Sequence, residues 1–90
     1  MDAMRRVAEE ALATLTRLRS SMDQNDVAKQ ITALTPKMGS TGEGWSNARH
    51  DAWIATCHLR DALLGIKKDA DLHAHWDWAI SATKAWLDKS

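Results

Sequence analysis

The stretch that decides the fold is WSNARHDAWIATCHLRDALLGI, residues 45–66. Apolar or small residues recur in it at alternating steps of three and four: Trp45, Ala48, Ala52, Ala55, Leu59, Ala62 and Ile66. That spacing keeps them on one side of an α-helix, whereas a strand would need alternation by two. The stretch therefore predicts the longest helix of the chain, over about residues 43–67.

A second apolar line accompanies the first on the same predicted helix, at least a quarter of a turn away. It consists of Trp53, Cys57 and Leu64, and Ile54 lies among the polar residues. Together the two lines cover more than the ~100° of arc that a helix buries when it packs on one side only. The helix therefore either lies centrally against several neighbours or presents its second line to a partner.

The composition and the apolar spacing favour an all-α fold. The chain of 90 residues holds five Trp but no Phe or Tyr, and it has only one Pro and two Val. The pattern predicts a single domain, residues 1–90, that resembles a small four-helix bundle in long–short–long–long order. Short connections predict antiparallel packing. The predicted helices cover about residues 2–21, 24–35, 43–67 and 70–88.

Capping residues and a proline indicate where these helices begin and end. Asp23 is placed to cap the second helix, and Asp69 or Asp71 to cap the fourth. Pro36 is predicted to end the second helix, because the residue before a proline avoids the helical region.

The Gly-rich segment 37–44 is predicted to be a flexible connector. It does not match a phosphate-binding loop, because it lacks a preceding strand and the GxxxxGK[ST] and GxGxxG patterns. Ser40 and Glu43 are three residues apart, which is the spacing of a capping box and predicts the start of the long helix.

The charge balance limits the classes of partner. Twelve basic and twelve acidic residues give a formal net charge of zero, which argues against nucleic acid and anionic membranes as partners. No apolar run approaches the ~20 residues that span a bilayer, and the first residues lack a signal-peptide pattern. The single Cys57 excludes an internal disulfide. These features predict a cytoplasmic protein without a cofactor.

The histidines suggest a metal site as the alternative function. His73 and Asp77 are four residues apart on the last predicted helix, and a polar face of the long helix carries His50, His58 and Asp61. None of these sets has the spacing of a zinc motif such as paired CxxC or HExxH. Solvated or capping histidines are therefore the favoured interpretation, and a metal-binding helical protein is the alternative.

No enzyme is predicted, because no nucleophile and base are placed to act together. The remaining feature is a set of apolar residues on polar faces, Trp53, Ile54 and Trp78, the last of them beside small residues. The candidate partner-binding residues are Trp53, Ile54, Trp78, Arg49, Arg60, Ala74, Ser81 and Ala85. The competing interpretation is that both tryptophans pack inside the monomer.

Two functional hypotheses follow from the sequence. The first is a non-enzymatic module that covers the surface of a protein partner, either a larger protein or another copy of itself. An inhibitor of a larger enzyme, of the kind carried by phages or used as immunity proteins, is one form of this hypothesis. The second is the metal-binding protein described above.

Overall fold

The computed structural model describes residues 3–39, 46–68 and 71–89. Four α-helices account for most of these residues, and no strand occurs among them. The helices are α1 (Ala3–Arg19), α2 (Gln24–Met38), α3 (Asn47–Leu63) and α4 (Leu72–Lys89). The predicted all-α class with four helices is therefore confirmed, although the helix bounds differ at several ends.

Adjacent helices run antiparallel, as predicted, and polar contacts near their ends reveal the directions. Arg19 at the end of α1 pairs with Asp77 near the start of α4, with 2.7 Å between Nη2 and Oδ1. Lys37 near the end of α2 lies 3.8 Å from Glu10 of α1, measured from Nζ to Oε1. Each helix contacts its two neighbours around the bundle, and within the described residues α1 shares no contact with α3. Since α3, like each of the four helices, contacts only two others among the described residues, its side away from the core has no described helix against it.

The core combines small and aliphatic side chains with two tryptophans. Trp76 and Trp86 of α4 are 8% and 2% exposed, so each buries a large aromatic surface in the core. The remaining buried apolar residues are Ala8, Ala11, Leu15, Leu18, Val27, Ala28, Ile31, Leu34, Met38, Ala52, Ala55, Leu59 and Ala79. Their alternating spacing along each helix confirms the amphipathic patterns.

Pro36 lies inside α2, so the prediction that it ends the helix is wrong. A proline removes the N–H that would bond to the carbonyl of Thr32, four residues earlier. The hydroxyl of Thr35 replaces it, because Oγ1 donates to that carbonyl oxygen at 3.1 Å. The helix therefore continues to Met38, and the N–H of Gly39 donates to the Thr35 carbonyl at 3.0 Å.

α3 begins at Asn47 rather than near residue 43, and Ser46 is its N-cap. The Ser46 hydroxyl accepts a hydrogen bond from the N–H of Arg49 at 3.1 Å. This bond satisfies one of the N–H groups that the start of a helix leaves unpaired. The predicted capping box and Trp45 lie outside the described residues.

α3 ends at Leu63 rather than near residue 67, and Gly65 is the cause. Its φ of 78° lies in the left-handed region, which glycine adopts without steric cost. The N–H groups of Gly65 and Ile66 donate to the carbonyls of Ala62 (3.2 Å) and Asp61 (2.9 Å), the pattern of a Schellman cap. Ile66 consequently leaves the buried line and is 68% exposed.

Two predicted caps are confirmed by their hydrogen bonds. The Asp23 carboxylate accepts from the N–H of Asp26 at 3.1 Å, and the Asp71 carboxylate accepts from the N–H of Ala74 at 3.1 Å. The alternative cap, Asp69, lies outside the described residues.

Candidate protein-binding surface

The residues of α3 outside its buried apolar line can be divided into three strips. We call these the α2 flank (Arg49, Trp53 and Arg60), the α4 flank (Ala48, Asp51 and His58) and the outer face (Asn47, His50, Ile54, Cys57, Asp61 and Leu64). The α2 flank contacts the end of α2, and the α4 flank faces α4. Since α3 contacts only α2 and α4 among the described helices, the outer face has no helix packed on it.

Arg49 departs most from the sequence prediction, which placed it on a partner-binding surface. Its side chain is fully buried. Nε donates to the Met38 carbonyl oxygen at 2.7 Å, and the guanidinium carbon lies 5.8 Å from the centre of the Trp86 ring. Its two terminal nitrogens are buried and have no hydrogen-bond partner in the part of the chain that the structure describes. Burial lowers the pKa of Arg49. The side chain binds the carbonyl end of α2 and is closed to a partner.

Trp53 is half-buried and packs against the core. Its indole lies so close to the end of α2 that a Cβ at Gly39 would be 2.7 Å from Cδ1 and 2.8 Å from Cε2. Arg60, on the same flank, donates from Nη1 to the Thr35 hydroxyl at 3.4 Å and from Nε to Asp61 Oδ1 at 3.1 Å. The α2 flank is therefore mainly a packing surface.

A cavity of about 230 Å³ opens on the outer face of α3. Its lining is mostly apolar and consists of Trp53, Ile54, Cys57, His58 and Asp61. Burial raises the pKa of the Cys57 thiol, which disfavours the reactive thiolate. The cavity therefore fits an apolar group better than it fits the needs of nucleophilic catalysis.

Trp78 joins this surface through His58. The two ring centres are 5.3 Å apart, and the ring of His75 lies 6.4 Å from Trp78 and 6.3 Å from His58. Nζ of Lys67 lies 2.9 Å from Nδ1 of His58. Because an ammonium group can only donate, Nδ1 of His58 is the acceptor in this contact. Trp78 itself is 42% exposed. Trp53 and Trp78 thus lie on opposite flanks of α3 and are connected across its outer face.

A second cavity continues from Trp78 between the start of α3 and the end of α4. It has a volume of about 460 Å³ and is lined by Asn47, Ala48, Asp51, Trp78, Ser81, Ala82, Ala85 and Lys89. The sequence placed Trp78 beside Ser81 and Ala85, and the structure brings the three together. Ala74 is exposed and is not part of the lining. Neither Cys57 nor His75 was among the candidate partner-binding residues, although the sequence placed Cys57 on the second apolar line of α3. Cys57 could have been found from the two-sided pattern of α3, but the placement of His75 depends on the packing of α4.

Of the candidate metal ligands, His73 and Asp77 contact each other, whereas His50 packs on a tryptophan. His73 and Asp77 meet, with 3.4 Å between Nε2 and Oδ2, but Arg19 binds both: its Nη2 is 2.7 Å from Asp77 Oδ1 and 3.1 Å from His73 Nδ1. The Arg19 hydrogen bond is the main cause that lowers the pKa of Asp77. His50 packs on Trp53 with ring centres 5.7 Å apart. Across residues 3–39, 46–68 and 71–89, no three His, Cys, Asp or Glu side chains are grouped to hold a metal ion.

Comparison with protein-family models, with curated proteins and with solved structures finds no match to this chain. Among the described residues, no helix combines the length and apolar character needed to cross a membrane.

Proposed function

We propose that this protein is a non-enzymatic helical binding module that acts by covering a surface of a protein partner. The proposal rests on one observation, which is a continuous surface of large and apolar side chains, none of which is fully buried. It comprises Trp53, Ile54, Cys57, His58 and Trp78. Apolar surface of this kind on a small domain usually marks a partner site, and tryptophan is enriched among the residues that dominate binding energy.

The chemistry of the surface supports a protein as the partner. The formal net charge of the chain is zero, so the chain lacks the net positive charge that would attract nucleic acid or anionic membranes. The thiol at the centre of the surface has a raised pKa, which disfavours nucleophilic catalysis. One form of this proposal is a cytoplasmic inhibitor that blocks the active surface of a larger enzyme.

Affinity capture from the host's cell extract tests the proposal. The immobilised wild-type protein is compared with Ile54→Asp, which places a carboxylate in the cavity on the outer face of α3. The matched control is Thr16→Asp on the exposed side of α1. Circular dichroism and thermal melting confirm that both variants fold.

We expect wild type and Thr16→Asp to retain a stoichiometric protein partner, and Ile54→Asp to lose about tenfold or more of it, because a buried unpaired charge opposes binding. Equal capture by all three proteins would place the partner elsewhere on the chain and contradict the proposed surface.

A further inference from the structure

The outer face of α3 carries a regular repeat that has no partner helix in the described part of the chain. Its members follow alternating steps of three and four: Asn47, His50, Ile54, Cys57, Asp61 and Leu64. This is the a/d spacing of a coiled coil, in which each such residue packs against a facing helix. None of the six residues is buried, and among the described helices α3 contacts only α2 and α4.

We propose that a second copy of this chain packs on the outer face, with the two α3 helices antiparallel about a two-fold axis between Ile54 and Cys57. This inference rests on the proposed function and identifies the partner. In a two-fold contact the pairs are reciprocal, so that if residue i of one copy faces residue j of the other, residue j of the first also faces residue i of the second. Ile54 therefore faces Cys57 of the second copy, and Cys57 faces its Ile54. The centre of the interface is apolar on both sides.

The same axis places complementary groups outside this centre. His50 faces Asp61 of the second copy, so an imidazole meets a carboxylate at each end. Asn47 lies opposite Leu64 of the second copy, and Leu64 is 49% exposed in the monomer. No pair in this stripe brings two charges of the same sign together, so the face is complementary to itself.

The flanks of the stripe are also complementary under this axis. Asp51 comes beside His58 of the second copy, which again pairs a carboxylate with an imidazole. Trp53 comes beside Arg60, and a guanidinium over an indole ring is a favourable contact. The Arg60 side chain is 30% exposed, and this exposed part makes the contact while Nε and Nη1 donate to Asp61 and Thr35.

A parallel arrangement of the two helices is excluded by charge. It would place Asp61 against Asp61 and His50 against His50, since equivalent positions face each other in a parallel pair. The two facing Asp61 carboxylates are like charges, which repel at an interface. The antiparallel register avoids both contacts and keeps Ile54 in an apolar layer.

The size of the contact predicts a reversible dimer. α3 has 17 residues, which correspond to a length of about 25 Å, and one pair of such helices lies at the small end of specific interfaces. We therefore expect self-association that depends on concentration.

Light scattering of untagged protein over a wide range of concentrations is the first test. The mass should rise from the chain mass of 10.0 kDa towards twice that value. Ile54→Asp should raise the dimer dissociation constant by about tenfold or more, because both copies carry the charge at the apolar centre. Thr16→Asp should leave it unchanged.

Disulfide cross-linking tests the register with variants that change little in size. The variant Ile54→Cys/Cys57→Ser has one thiol, and the proposed register places it opposite Cys57 of a wild-type partner. Oxidised glutathione is added at about pH 9, because a thiol with a raised pKa needs alkaline pH to form the thiolate. The mixture should give covalent dimers, and each protein alone should give about tenfold less.

The outcomes separate this inference from the proposed function. A mass that stays at one chain at every concentration overturns the second-copy proposal, as does equal cross-linking in the separate and mixed samples. If the protein is monomeric but Ile54→Asp still loses a foreign partner from host extract, the proposed function stands with a different partner. If Ile54→Asp changes neither result, both proposals fail.

Discussion

The two tryptophans on either side of α3 look equivalent in the sequence but have different surroundings in the structure. Trp53 packs against the core and fills the space above Gly39. Trp78 is 42% exposed and lies over small residues of α4, with its ring against His58. The difference comes from the facing element. Gly39 at the end of α2 has no side chain, which leaves room for the indole of Trp53. The indole of Trp78, in contrast, points from α4 towards solvent.

The comparison separates stability from binding on the two flanks of one helix. The α2 flank has a buried arginine and a close contact with Gly39, so changes there should alter the free energy of unfolding. The α4 flank and the outer face have open cavities and half-exposed rings, so changes there should alter association more than folding.

Replacing each tryptophan in turn by alanine is the strongest test of this division. Trp53→Ala should lower the free energy of unfolding by about 3 kcal/mol, because it empties a packed site. Trp78→Ala should lower it by about 1 kcal/mol or less, since half-exposed side chains bury less apolar area. Urea denaturation at low protein concentration measures both values without a contribution from dimers. Equal losses would show that the two flanks do not differ.

Gly39→Ala sharpens the comparison at the point where the indole meets α2. The new methyl group would overlap the Trp53 ring, so we expect a loss of about 2 kcal/mol in the free energy of unfolding. The backbone itself does not require glycine, because φ of Gly39 is −86°.

The control for this prediction is the same change in a Trp53→Leu background. The smaller side chain removes the overlap, so Gly39→Ala should cost much less there, and the two changes should be strongly coupled in a double-mutant cycle. An equal loss in both backgrounds would mean that the methyl group meets something other than Trp53.

Local patterns in the sequence predicted the helices better than they predicted their ends. The alternating apolar lines located all four helices, because burial on one side repeats with the helical period. The helix ends depended on local interactions that the apolar spacing does not include. The Thr35 hydroxyl donates to the Thr32 carbonyl that Pro36 leaves without a partner N–H, and Gly65 adopts a positive φ. Gly65 could have been recognised as a helix stop, since glycine is common just after the last helical residue.

The surface was predicted in part, because side-chain position around one helix can be derived from its period but contacts between helices cannot. Ile54 and Trp78 were placed on open faces. Arg49 was misplaced, because its burial depends on the carbonyl of Met38 arriving from α2. The contact of His75 with His58 and Trp78 likewise depends on how α4 packs on α3.

Arg49→Met tests whether the buried arginine on the α2 flank lowers the stability of the fold. Methionine fills much of the same volume without a charge, and replacing buried charges by apolar groups is often neutral or stabilising. We expect a gain of about 1 kcal/mol in the free energy of unfolding, after the loss of the hydrogen bond to Met38 is included. Arg49→Ala, which leaves a cavity instead, should destabilise the protein. A loss of stability in Arg49→Met would mean that the terminal nitrogens are better satisfied than the described contacts indicate.

The ion pair between α4 and α1 gives the smallest expected effect and a dependence on pH. There, the hydrogen bond from Arg19 lowers the pKa of Asp77 below its ordinary value. A carboxyl group whose pKa is lower in the folded state stabilises the protein above its unfolded pKa, and this contribution disappears as the pH falls through the folded pKa. The Asp77→Asn variant should therefore melt slightly below wild type at neutral pH, and the gap should close below about pH 4.

Two further measurements identify the source of that gap. Added salt should reduce it, because the side chain of Asp77 is 54% exposed and exposed ion pairs are screened. In an Arg19→Met background, Asp77→Asn should have little further effect, since its main hydrogen-bond donor is already absent. A gap that widened as the pH fell would show that the Asp77 carboxylate destabilises the fold, and its ion pair with Arg19 would then contribute nothing to the packing of α4 on α1.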